Sequence, residues 1–188
     1  MGFRNLLPGI LLLVAGISHA QQEESRAVFE TEIDADVSAV WNAFTTAEGL
    51  KSWMAPKVEI NLKLGGKMKS TYDANGTIGD PSTIENTILA FDPHHMLTLQ
   101  ATTFPEGFRF EKVAKGTWSV FYFEELPNSR TKLTVVGLGY TDDPLSQEMK
   151  SFFAAANKYS LDKLKAALAE KESELEKSSV DGSRAESE

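Results

Sequence analysis

"IDADVSAVWNAFTTAEGLKSWMAP", residues 33–56, is the stretch on which the fold turns. Val37, Val40, Trp41 and Phe44 fall at i, i+3, i+4 and i+7, one face of a helix. Asp36 or Asp34 stands where its N-cap belongs. Thr45 and Glu48 have the spacing of a capping box, which predicts a second short helix over "AEGLKSWM". Leu50, Trp53 and Met54 share a face of that helix, and Pro56 ends it. Two tryptophans, a phenylalanine and a methionine in so short a segment either fill a core or wall a cavity.

Working outward, the pattern on both sides has period two. "RAVFETEI" (26–33) puts Phe29, Thr31 and Ile33 on one face, so a strand precedes the helices. "KVEINLKL" (57–64) reads as a strand, Gly65-Gly66 as a turn, and "KMKSTYD" alternates with Met68, Ser70 and Tyr72 on one side. "ANGTIGDPS" is a loop by its Asn-Gly and Asp-Pro turn signals. "TIENTILAF" and "MLTLQAT" are strands joined through "DPHH". "FPEGFRFEKVAK" reads as irregular, or as a strand with a bulge. "GTWSVFYFEEL" and "TKLTVVGLGY" form a long hairpin through Pro127-Asn128. A long helix opens at Asp143-Pro144, with Met149, Phe152, Phe153 and Ala156 on one face and Leu161, Leu164 and Leu168 continuing it. The order is strand, two short helices, about six strands, one long helix. A sheet cannot bury its apolar face alone. A strongly curved antiparallel sheet wrapped around the last helix, with the short helices plugging one end, is the expected α+β solution.

The chain carries 19 basic and 27 acidic residues and no cysteine. Its net charge of −8 argues against a nucleic-acid partner, which requires clustered Lys and Arg. Residues 1–20 read as a secretory signal peptide: Arg4, an apolar run from Leu6 to Ile17, and Ser18-His19-Ala20 as a small-x-small cleavage pattern before Gln21. That run is too short for a membrane span, so no stable span is expected after cleavage, and the protein is expected in the periplasm or outside the cell. Residues 21–25 are expected to be a flexible N-terminus, 26–172 one domain, and 173–188 a disordered acidic tail. Without disulfides, stability must come from an apolar core, and 26–172 is long enough to build one.

Several of these segments resemble the helix-grip fold of the Bet v 1/START-like (SRPBCC) superfamily. More narrowly they are similar to the activator of Hsp90 ATPase homologue 1-like (AHSA1-like) family. The residues that carry the likeness are 33–56, "LKLGGKMKSTY" (62–72), "NTILAFDPHHMLTL" (86–99), "TKLTVV" (131–136) and "LDKLKAALAE" (161–170). The resemblance implies a cavity for a hydrophobic small molecule more than any one activity; some relatives in the superfamily cyclise polyketides. The family often carries a tryptophan within its last helix, and the nearest equivalent here is Asn157. The Hsp90 in the family name belongs to a cytosolic cochaperone system, which an exported protein would not meet.

Candidate ligand-binding residues follow from these patterns. Trp53 lies where the cavity mouth of the family would be, with Met54 beside it; either lines a cavity or simply packs. Its indole N–H needs a polar partner on both readings. Met68, Tyr72, Leu97, Leu99, Phe121 and Phe123 come from strands, where residues two apart share a face. In "WSVFYF" both faces are apolar, so alternation leaves the inward one open. Phe152, Phe153 and Ala156 on the last helix are placed to close the cavity, or to fill it. Trp41 and Phe44 read as core.

Other motifs carry less. His94 and His95 are adjacent at a strand end and supply too few ligands for a metal. "GGKMKS" lacks the glycine and the Ser/Thr of a phosphate loop. No Gly-x-Ser-x-Gly elbow occurs. Glu85, Glu106 and Glu111 read as solvated faces, Asn75-Gly76-Thr77 as a turn rather than a glycosylation site, and "EKESELEK" as a solvated helix end. No catalytic residue, cofactor or metal is identified. The expected function is binding of a lipid-like or aromatic small molecule. An enzyme of the polyketide cyclase/dehydratase type and a ligand-free protein-interaction domain, its partner unknown, are the alternatives.

Overall fold

The computed structural model describes residues 26–185. The expected signal peptide and the short segment after it lie outside the described residues. Strand β1 (Ala27–Ile33) leads into helices α1 (Val37–Thr45) and α2 (Ala47–Trp53). Then come β2 (Lys57–Ile60), β3 (Lys67–Thr71), β4 (Ile84–Asp92), β5 (Met96–Thr103), a one-turn helix α3 (Glu111–Ala114), β6 (Trp118–Leu126), β7 (Arg130–Leu138) and the long helix α4 (Pro144–Ala185). The strands form one curved sheet, antiparallel at every junction, in the order β1-β7-β6-β5-β4-β3-β2. This is the helix-grip arrangement expected from the element order.

Local chemistry explains the helical corner. Asp36 caps α1, its carboxylate accepting from the Ala39 amide at 2.7 Å. The cap of α2 is Thr46, one residue later than the Thr45/Glu48 spacing predicts. Thr46 Oγ1 accepts from the Gly49 amide at 3.0 Å, whereas Thr45 is buried and its hydroxyl donates back to the Trp41 carbonyl at 2.7 Å. Val40, Trp41, Phe44 and Leu50 are buried together with Phe123, Leu97 and Leu133, and aromatic centroids 5.0–5.4 Å apart link Phe44 to Trp53, Phe121 and Phe123. The two short helices thus close one end of the sheet by dense packing.

Three segments differ from expectation. β2 stops at Ile60, because Gly65 at φ 71° and the bond from the Gly66 amide to the Lys63 carbonyl turn the chain early; Leu64 is left 73% exposed. The stretch 104–115 is not a bulged strand. Gly107 (φ 79°) turns it, α3 follows, and Phe108 and Phe110 join Ala27, Ala114, Tyr140 and Met149 in a second apolar cluster. Finally, α4 continues past residue 172, where the domain was expected to end, as far as Ala185. Its start is as expected: Asp143 Oδ1 accepts from the Leu145 amide at 2.8 Å. The stripe that α4 presents to the sheet is Met149, Phe153, Asn157, Leu161, Leu164 and Leu168, in steps of three and four.

Candidate functional site

Register shows why a hollow forms between sheet and helix. On the concave face, one cross-strand row runs Phe29, Val135, Phe121, Leu97 and Phe91, and a neighbouring row begins Thr31, Leu133, Phe123. Phe121 and Phe123 of these rows pack against Trp41 and Phe44 of α1. The row on the other side runs Ala27, Gly137, Ser119, Leu99 and Ile88, with Ala101, Asn86 and Met68 beyond it. Ala27 packs in one cluster with Met149 of α4, but the small side chains of Gly137, Ser119 and Ala101 leave space under the helix. Gly137 lets Tyr140 pack close: a Cβ on it would stand 3.1 Å from the Tyr140 ring.

The space left is two adjoining chambers. The outer one, of about 170 Å³, lies among Phe44, Leu50, Trp53, Tyr72, Ser160 and Leu161. The inner one, of about 220 Å³, is bounded by the small-residue row with Phe29, Asn86, Phe104, Ala114, Thr117, Trp118, Tyr140 and Phe153. Met54, Met68, Leu99, Phe121, Val135 and Asn157 wall both. Taken together they reach the lower end of the roughly 300–1,000 Å³ occupied by small-molecule sites. A larger concavity of about 520 Å³ runs between α1, α2 and α4, but Glu48, Glu170, Lys171 and Glu174 line it. Its charged lining suits polar contacts rather than an apolar guest.

Of the expected ligand-binding residues, Trp53, Met68, Leu99 and Phe121 line the chambers, Tyr72 stands at the outer one and Phe153 at the inner one. Trp53 donates its indole N–H to the Ala43 carbonyl at 2.9 Å, the polar partner it was expected to need. The others fall elsewhere. Leu97 and Phe123 are buried in the dense core against the short helices. Phe152 is one step off the inward stripe; it is 50% exposed and rests on Phe110 and Phe153 at 5.5 and 5.3 Å. Ala156, half-buried, flanks the stripe without lining either chamber.

The inner chamber was the part least visible beforehand. Ala27, Ala101, Ser119 and Gly137 attract no notice as residues. Their signal is that small side chains occur at inward positions of four strands, and it emerges only once the register is known.

The chambers are electrically quiet. Among the described residues no Asp, Glu, Lys, Arg or His lines either one. The titratable groups in the lining are Tyr72 and Tyr140, and desolvation pushes both phenols above their usual range. For Tyr140, 8% exposed, that burial is deep. Tyr72 is 63% exposed, so solvent at its ring offsets much of that effect. Both hydroxyls are neutral and can donate or accept hydrogen bonds.

The carboxylates lie outside. Glu85 pairs with Lys69 at 3.0 Å, Glu111 with Lys115 at 2.6 Å, and Glu106 is exposed. Among the described residues no group of three or more His, Asp or Glu is placed to hold a metal. His94, at φ 66° and 5.8 Å from Trp41, has a buried Nδ1 without a partner, whereas His95 Nδ1 sits 2.9 Å from the Pro93 carbonyl.

A family model described as "Activator of Hsp90 ATPase homolog 1-like protein" matches residues 34–169. The chain belongs to this AHSA1-like family. Solved structures agree on the fold. A protein from Mesorhizobium loti is 16% identical with a TM-score of 0.63, the match covering 77% of this chain and 97% of that one. The Aha1 dimer from Colwellia psychrerythraea is 19% identical at a TM-score of 0.57, covering 76% and 95%. An AHSA1-like protein from Aeromonas hydrophila is 14% identical at 0.55, covering 77% and 92%. No curated protein matches the chain. The AHSA1-like fold is in general that of ligand-binding or polyketide-cyclase-like domains. In this member Asn157, read as the nearest equivalent of a tryptophan common in the family's last helix, borders both chambers. A side chain far smaller than indole at the centre of the inward stripe leaves room between them. Among the described residues no helix is long and apolar enough to cross a membrane.

Proposed function

We propose that this AHSA1-like protein is an exported carrier that encloses a hydrophobic or amphipathic small molecule between its sheet and α4. The observation that carries the reading is the pair of adjoining chambers, walled by aromatic and aliphatic side chains with a few uncharged polar groups and no ionic one. Such a lining is typical of binding sites that desolvate an apolar guest and orient it with few hydrogen bonds. It also favours binding over acid–base catalysis, which needs positioned groups that titrate near the working pH; a phenol's ordinary value, about 10, lies well above it. The export half rests on residues 1–20 alone, through their apolar run and small-x-small site.

Native mass spectrometry of the purified protein tests both halves. The expected spectrum shows a chain beginning at Gln21 when expressed with its leader, and an added mass that organic solvent removes. A single ligand-free species, with no thermal shift across a panel of lipids and polycyclic aromatics, would overturn the carrier. A mature chain retaining Arg4 would overturn cleavage.

A further inference from the structure

We infer that the guest's polar group is uncharged and is held by the carboxamides of Asn86 and Asn157, so that the ligand is a neutral amphiphile bearing an amide or alcohol, not a carboxylate, phosphate or ammonium. This rests on the carrier reading and sharpens it.

Both asparagines line the inner chamber, Asn86 from β4 and Asn157 from the centre of the α4 stripe. Both are half-buried. Neither side chain donates to or accepts from another group among the described residues, although hydrogen-bonded side chains are common elsewhere in the molecule. Half-buried amides that line a cavity and bond to no protein group are free to bond a guest. Each offers two donors and an acceptor oxygen, which suits a group that both accepts and donates. A bare carboxylate would find donors but no counter-charge. Lys67 and Lys69 lie on the adjoining strand, but strand alternation sends them to the convex side with Glu85, which pairs with Lys69 at 3.0 Å. The sheet therefore puts its charge outside at residue 85 and an uncharged amide inside at residue 86. Burying an ion in such a chamber without a counter-ion is far costlier than burying an amide that finds hydrogen-bond partners.

The test uses N-phenyl-1-naphthylamine, a neutral fluorophore, displaced at pH 8 by decanamide or by decanoate, which share one chain length. Decanamide should compete at least about tenfold better than decanoate. Asn86→Leu and Asn157→Leu should each weaken decanamide about five- to tenfold, the loss of one good hydrogen bond, with circular dichroism and melting used to establish folding. If a variant does not fold, the wild-type comparison still decides. Fluorophore binding with equal competition by decanoate would overturn the inference and leave the carrier intact. Full decanamide affinity in both folded variants would overturn the role of the asparagines. No fluorophore binding, and no shift with either decyl compound, would remove the carrier and the inference with it.

Discussion

At the scale of single residues, the site is decided by size differences of a few atoms. Phe153 borders the inner chamber and belongs to the inward stripe, whereas its neighbour Phe152 faces largely outward. Phe153→Trp should therefore extend into free volume. The expected outcome is reduced fluorophore capacity with stability changed by less than about 1 kcal/mol; a residue in dense packing would instead lose roughly 1–3 kcal/mol from overfilling. Denaturant titration beside fluorophore binding separates the two. The sequence pattern sets Phe152 and Phe153 side by side as candidates, since a helix face drawn from residues 149, 152, 153 and 156 is more apolar than one drawn from 149, 153, 157 and 161. The true stripe contains a polar residue, Asn157, and hydrophobicity alone steers away from it. The two threonines at 45 and 46 are a similar case. Either could cap α2 by composition, and the difference is burial. Thr46→Ala should cost about 0.5–2 kcal/mol by unmaking the cap, read as a lower denaturation midpoint. If the midpoint is unchanged, the bond to the Gly49 amide is idle.

At the scale of elements, the α1–α2 corner depends on close approach. A Cβ on Gly49 would lie 2.2 Å from the Asn42 carbonyl oxygen and 2.7 Å from the Ala43 Cα, both backbone atoms that cannot step aside. Gly49→Ala should therefore lose roughly 1–3 kcal/mol even though alanine is the better helix former, and it should disturb the outer chamber through Trp53, whose indole is anchored on Ala43. A variant as stable as the parent would mean that the helices can separate without cost. Elements of this kind were largely legible beforehand. β1, α1, the β6–β7 hairpin and the Asp143-Pro144 start each had a strong period or cap. Where legibility failed, a local pattern was overridden by a turn or by distant packing. β2 is cut short by Gly65, and Phe104, Phe108 and Phe110 leave strand periodicity to build the second cluster with Tyr140 and Met149. No short-range rule links Phe110 to Met149, so that cluster and the inner chamber beside it could not be read from either segment alone.

At the scale of the whole molecule, the protein combines a packed end and an unfilled one. Without disulfides it relies on the core around α1, α2 and the bulky rows, which frees the small-residue end to remain open. A guest that enters only the folded state must then stabilise the entire cooperative unit, by about 2.7 kcal/mol at a hundredfold excess over its dissociation constant. That increment should also be flat with pH. The titratable groups in the lining are Tyr72 and Tyr140, and both are pushed upward from a normal value near 10. Raising a phenol's pKa extends its neutral form to higher pH, so neither group changes charge from about pH 5 to 9. Among the described residues the carboxylates lie outside the chambers. They shift the stability of free and loaded protein alike, and the difference between the two cancels them. Melting curves with and without N-phenyl-1-naphthylamine, taken at intervals across that window, should keep a constant separation even as both midpoints move. A step in the separation near pH 6 or 7 would require an ionisable group in contact with the guest, and the uncharged enclosure described here contains none that titrates there.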